Sequence, residues 1–215
     1  MAHSDSLAAQ LAAKKPKIIG VGTNYRAHAV EMGKPIPDEP LLFMKPSSAL
    51  LADGDAIVRP RGYQRVDFEG ELGVVIGKRC RKVRAQDALG YVEGYCIVND
   101  VTVRDLQKKD GQFTRAKGFD TFCPVGPKLV AGLDPSKLKL VTRQNGQVRQ
   151  DSSTSDLIFS VPQLIEVISR VMTLEPGDLI STGTPSGVGP IAPGDVIEIE
   201  IEGIGILRNP VVEES

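Results

Sequence analysis

Glycine and proline, 22 and 15 of 215 residues, are scattered along the whole chain and leave room for one long uninterrupted amphipathic run. That run is SVPQLIEVISRVMTLEPGD, residues 160–178. Ser160 and Gln163 have capping-box spacing, and Pro162 falls in the first turn. Val161, Leu164, Ile165, Ile168, Val171 and Met172 then follow helical periodicity until Pro176-Gly177, so the helix should cover one sheet face. Elsewhere the apolar pattern changes over short segments. It predicts strands at 18–21, 41–44, 67–77, 94–103, 124–130, 138–143, 147–150, 178–182, 195–202 and 204–208. A helical turn is expected over 26–32 and a proline-punctuated loop over 33–40. Asn145-Gly146 is a strong hairpin signal. Many short strands beside one long helix define a β-dominated α+β fold. Residues 1–16 read as a tail or short helix and 17–215 as one domain, with no internal repeat or linker.

Charge narrows the function classes. The chain carries 26 Lys+Arg against 27 Asp+Glu, a net charge of −1, without a basic run. With no Trp and 5% aromatic residues, it offers neither the electrostatics nor the stacking platform of a nucleic-acid binder. No stretch approaches the roughly 20 apolar residues of a membrane span. Its N-terminus lacks the basic or Arg-rich character of a targeting sequence. Cys80, Cys96 and Cys123 form no CxxC and no even-numbered framework, which fits a reducing compartment and a cytoplasmic location.

Several residue patterns could carry chemistry. On a strand, Glu69 and Glu71 would face one side with α-carbons roughly 6.5–7 Å apart, close enough to converge on a hard cation. Gly70 between them would free space on the other face. An ordinary solvated strand face has the same spacing, as Glu198, Glu200 and Glu202 illustrate by alternating with Ile197, Ile199 and Ile201. Asp100 adds a carboxylate in an apolar stretch, where it needs a partner, a metal or a strand end reaching solvent. Three carboxylates would suit magnesium or manganese better than zinc. His28 and Glu31, three apart on a helical turn, read either as an oriented general base or as a surface pair. Gly20-Val21-Gly22 lacks the third glycine of a dinucleotide fingerprint, since Tyr25 stands there. TGTPSGVG, residues 182–189, has no GK[ST]; it is a turn, or a bend whose amides and Thr184 hydroxyl hold a carboxylate. Spacing alone gives Lys117 no role.

Together these segments resemble the fumarylacetoacetate hydrolase family. The resemblance runs in order through GVGTNYRAHAVEMG, LLFMKPSSAL, DFEGELGVVIGKRCRKV, GYCIVNDVTVRDLQ, RAKGFDTFCPVGP and LISTGTPSGVGP, roughly residues 17 to 208. It implies a β-roll, a homodimer, and a catalytic domain over 17–215. It implies that Glu69, Glu71 and Asp100 bind Mg2+ or Mn2+, that His28 and Glu31 form a catalytic dyad on a lid, and that Lys117 is the active-site lysine. Arg104, Gln107 and Thr184 match positions that contact substrate oxygens. The chain is similar in size to the short acylpyruvase and oxaloacetate decarboxylase branch.

The implied substrate is a small 2-oxo or 2,4-dioxo acid, with no nucleic-acid or membrane partner. The implied reaction is metal-dependent C–C hydrolysis of acylpyruvates, releasing a pyruvate enolate, with His28 taking a proton from the attacking water and Lys117 stabilising oxyanion charge. Oxaloacetate decarboxylation and 2-hydroxyhepta-2,4-diene-1,7-dioate isomerisation would use the same centre. A catalytically silent metal-binding scaffold is the non-enzymatic alternative.

Overall fold

A computed structural model describes residues 5–31, 33 and 35–215. Residues 1–4 of the N-terminal tail, Met32 at the end of the expected helical turn, and Lys34 of the expected loop lie outside the described residues. The strands are β1 (Ile18–Gly22), β2 (Leu41–Lys45), β3 (Leu50–Leu51), β4 (Ile57–Arg59) and β5 (Val66–Phe68). Next come β6 (Gly70–Ile76), β7 (Val92–Asn99), β8 (Thr102–Val103), β9 (Cys123–Val130) and β10 (Lys139–Gln144). The last are β11 (Gln147–Ser153), β12 (Leu179–Ser181), β13 (Gly189–Pro190), β14 (Val196–Ile201) and β15 (Gly205–Glu213). Among the described residues, five α-helices join them: α1 (Leu7–Lys14), α2 (Arg26–Glu31), α3 (Arg104–Asp110), α4 (Thr114–Lys117) and α5 (Val161–Val171).

Among the described residues, three sheets make a β-dominated single domain. Seven strands run in the order β2-β1-β12-β6-β7-β9-β3, five in the order β11-β10-β14-β15-β4, and three in the order β13-β5-β8. Apolar side chains from both faces of the large sheet are buried. Leu72, Val74, Ile76, Tyr95 and Ile97 belong to the main core, with Ile197, Ile199 and Ile201 of the five-stranded sheet and Leu164, Ile165 and Ile168 of α5. On the opposite face Val75, Cys96, Val98, Cys123 and Val125 form a second cluster under Leu7, Ala8 and Leu11 of α1. Helix α1 starts where the Ser6 hydroxyl accepts the Ala9 N–H at 3.2 Å.

Local chemistry explains most elements. Gln163 accepts the Ser160 N–H at 2.8 Å, completing the reach-back of the capping box, although Val171 is exposed and Met172 lies just past the helix end. Asn145 (φ 54°) and Gly146 (φ 77°) close the β10–β11 hairpin in the left-handed conformation. Along β14, Ile197, Ile199 and Ile201 are buried while Glu198 and Glu200 face outward to Arg208 and Arg143, as an ordinary amphipathic strand should. Gly20 lies flat against the Phe43 ring, so a Cβ there would run straight into the aromatic carbons. Gly20→Ala should therefore lower stability by about 1–3 kcal/mol through overpacking, measured by urea denaturation. A neutral result would show that Phe43 moves aside freely.

Two expected strands are broken at matching places. The 67–77 segment divides at Glu69, where the chain leaves the three-stranded sheet and enters the large one; 94–103 divides at Asp100-Val101 for the same reason. The seam is spliced by the Asn99 side chain, which accepts the Glu69 N–H at 2.9 Å, while the Asp100 N–H donates to the Glu69 carbonyl at 2.9 Å. Glu69 and Asp100 thus sit opposite each other on backbone free of ladder constraints. Strands β3, β4 and β13 and helices α3 and α4 were not expected from periodicity; all but α3 are four residues or shorter, too brief to show a period.

Candidate functional site

The seam supplies a cluster of buried carboxylates. Oxygens of Glu69, Glu71 and Asp100 lie within 4.8 Å of one another, and all three residues are almost fully buried. Gly70 frees the space the sequence suggested: a Cβ there would collide with the Thr142 hydroxyl of the facing sheet. Each carboxylate has its own cations or donors. Lys117 Nζ donates to Glu69 at 2.8 Å, to Asp100 at 2.5 Å and to the Thr102 hydroxyl at 2.7 Å. Arg104 donates to Glu69 at 2.6 Å, to Asp67 at 2.8 Å and to Gln107 Oε1 at 2.9 Å. Glu71 accepts the Ser181 hydroxyl at 2.5 Å and the Gly183 N–H at 2.8 Å.

These surroundings separate the two glutamates electrostatically. Burial would raise Glu69, but the charges of Lys117 and Arg104 prevail and hold it well below the usual carboxylate range. Glu71 is pushed up to about 8, first by burial and then by the negative charges of Asp100 and Glu69. Burial would lower Lys117, yet Asp100 and Glu69 hold its ammonium above the ordinary lysine value. Among the buried groups Asp67, Glu69, Glu71 and Asp100 face only Lys45, Lys117 and Arg104 as full cations, with Arg65 reaching Asp67 from a half-exposed position. Among the described residues no cation pairs directly with Glu71, so negative charge without a facing cation sits there. A hard divalent cation among three carboxylate oxygens would relieve it, so the donor set fits Mg2+ or Mn2+.

The other sequence candidates come to the same place. A narrow pocket of about 60 Å³ is lined by Glu69, Glu71, Asp100, His28, Arg104, Gln107, Lys117 and Thr184, with an apolar side formed by Val21, Leu41, Phe43 and Phe113. His28 is buried, and its Nδ1 lies 2.9 Å from Glu31 Oε2. Glu31 does not line the pocket but stands behind His28, accepting the Gly187 N–H at 3.1 Å. With Nδ1 donating to a carboxylate, Nε2 is the nitrogen free to accept a proton. Thr184 donates to the Gly70 carbonyl at 2.9 Å and accepts from Gln150 at 2.8 Å. The 182–189 bend does hold carboxylates, and they are the protein's own: Gly183 holds Glu71, and Gly187 holds Glu31.

Sequence reasoning missed Lys45. Its side chain is wholly buried and its Nζ lies 2.5 Å from Asp100 Oδ1, so the two oxygens of Asp100 face two different lysines. The available signal was a lysine closing an apolar strand in LLFMK. Ser181 and Asn99 were also missed, because their roles depend on neighbours 110 and 30 residues away.

The fold and this constellation define a family. Residues 17–212 match the family model described as fumarylacetoacetate (FAA) hydrolase, C-terminal. The chain belongs to the fumarylacetoacetate hydrolase family. It is 50% identical to the 2-hydroxyhepta-2,4-diene-1,7-dioate isomerase of Mycobacterium marinum, with a TM-score of 0.88 over 94% of this chain and 76% of that one. It is 47% identical over 207 residues to the oxaloacetate tautomerase YisK of Bacillus subtilis, covering 90% of this chain and 69% of the relative. The maleylpyruvate hydrolase of Sphingobium, solved with manganese(II) and pyruvate, is 40% identical with a TM-score of 0.81 over 93% and 71% of the two chains. Similar proteins thus bear the names of an isomerase, a tautomerase and a hydrolase. Among the described residues, no helix is long and apolar enough to cross a membrane.

Proposed function

We propose that this chain is a divalent-metal-dependent enzyme that moves a proton between C3 and the C2 oxygen of a short 2-oxo acid such as oxaloacetate. The observation that carries this reading is the placement of a buried, carboxylate-oriented histidine and three convergent carboxylates in one pocket of about 60 Å³. Glu69, Glu71 and Asp100 would hold Mg2+ or Mn2+, which when bound supplies Lewis-acid polarisation of the 2-oxo group. His28 Nε2 accepts the C3 proton and returns it to the C2 oxygen, while Glu31 fixes the ring and stabilises the imidazolium. Lys117 opposes charge developing on the C2 oxygen, and Arg104, steadied by Asp67 and Glu69, binds the substrate carboxylate. Gln107 and Thr184 orient the remaining oxygens. The names of the tautomerase and isomerase relatives support this proton-transfer reading.

Acylpyruvate hydrolysis is the second reading, favoured by the pyruvate seen with the Sphingobium hydrolase. There His28 would take its proton from water attacking the distal carbonyl. As an assembly we read the chain as a homodimer, which is what its family resemblance implies. Its three free, buried cysteines suit a reducing cytoplasm.

The test follows enol-oxaloacetate and acetylpyruvate by ultraviolet absorbance, each with Mg2+, Mn2+ or excess EDTA. Metal-dependent acceleration of oxaloacetate tautomerisation supports the first reading. Metal-dependent loss of acetylpyruvate alone would replace it with the second. Stoichiometric metal binding without turnover of either would point to a scaffold.

A further inference from the structure

The glycine pair of GVG is unused by any dinucleotide reading, and its packing leads to the apolar side of the pocket. Gly20 receives the face of Phe43, and Gly22 has Leu41 at 3.0 Å and Phe113 at 3.7 Å from the point where a Cβ would stand. Phe43 and Phe113 meet edge to face, with centroids 5.5 Å apart and planes at 65°. Phe43 also lies under the Lys117 ammonium, 4.8 Å from the ring centroid. The two glycines therefore seat a wall of three side chains, Leu41, Phe43 and Phe113, directly beside the acidic cluster.

The same three residues line a second hollow. It has a volume of about 290 Å³ and is completed by Leu42, Met44, Gly111, Gln112 and Thr114. Met44, Gly111 and Gln112 are exposed, so this hollow opens to the surface, whereas the catalytic pocket beside it measures about 60 Å³. We infer that the Leu41–Phe43–Phe113 wall determines substrate length, confining the site to short 2-oxo acids by closing it off from the outer hollow. This rests on the functional reading above and deepens it. Phe43 is fixed from two sides, by Gly20 and by Lys117. Phe113 is the outer panel: it is half-buried, precedes α4, and stands 3.7 Å from where a Gly22 Cβ would lie. Substrate tails that extend away from the carboxylate cluster meet this ring first.

The experiment uses the full-length Mn2+-loaded protein and straight-chain 2-oxo acids: pyruvate, 2-oxobutyrate, 2-oxovalerate and 2-oxohexanoate. Titration calorimetry gives the ratio of 2-oxohexanoate to pyruvate affinity for wild type, Phe113→Ala and Phe113→Leu. Wild type should bind the longer acids progressively less well. Phe113→Ala should raise the ratio at least about tenfold, the lower end of what a single methylene contributes in an apolar pocket. Phe113→Leu, which preserves apolar bulk and guards against misfolding of the alanine variant, should raise it less. An unchanged ratio in both variants, with pyruvate still bound, would overturn the wall while leaving the functional reading intact. Failure of every 2-oxo acid to bind folded, Mn2+-loaded wild type would overturn the functional reading and the wall with it.

Discussion

Glu71→Gln should weaken Mn2+ binding on the order of 100-fold or more, beyond what loss of an outer-shell partner costs. Fold should be retained. Glutamine keeps an oxygen to accept the Ser181 hydroxyl and the Gly183 N–H, so only the charge is lost. The variant also resembles the protonated wild type, because the Glu71 carboxyl is pushed up to about 8 by burial and by Asp100 and Glu69. Between the unfolded carboxylate value of 4.5 and about 8, the folded metal-free chain keeps a proton that the unfolded chain has released. Stability contributed by that proton is complete below the unfolded value and is lost as pH rises through the folded one. In EDTA, wild-type Tm should therefore fall relative to Glu71→Gln as pH rises from about 6 to about 8.5. Saturating Mn2+ should close the gap for wild type only, and wild-type metal affinity should climb over the same range as a competing proton is removed. Parallel Tm curves together with unchanged Mn2+ affinity would show that Glu71 does not ligate metal.

The sequence carried this centre unevenly, for physical reasons. Alternation located β10 and β14, which bury every second residue, and continuous apolar runs located β1, β6 and β7, which are buried on both faces. Asn145-Gly146 located its hairpin because only a few residue types tolerate that backbone. The seam was hidden. Glu69 and Asp100 lie where apolar runs continue smoothly through a change of sheet, and nothing in DFEGELGVVIG marks the break. The acidic triad was visible only as a spacing that an amphipathic strand shares, and β14 shows that the same spacing can mean nothing more. The ordered family motifs brought those residues together before the fold did. Lys45 remained obscure because a lysine in an apolar strand signals burial only once its partner, 55 residues away, is known.

The 182–189 bend joins the carboxylate cluster to the His28–Glu31 pair, and under the proposed reaction that link governs what His28 substitutions should do. Gly183 holds Glu71 through its amide, and four residues later Gly187 holds Glu31, which in turn holds His28 Nδ1. His28→Asn removes the base at the end of this chain without touching a carboxylate of the cluster. Its kcat should fall about 10²–10⁴-fold while Mn2+ affinity stays within about threefold. Glu31→Gln keeps the ring in place with a weaker partner and should cost less, on the order of tenfold. Gly187→Ala separates orientation from basicity. Its φ of 95° disfavours alanine, and the new Cβ would strike the Arg149 carbonyl, so the amide would withdraw from Glu31. This variant should resemble Glu31→Gln in kcat although both members of the dyad are intact. A His28→Asn enzyme with wild-type kcat would transfer the proton step to another group. A variant that lost Mn2+ along with turnover would place His28 in the metal centre itself.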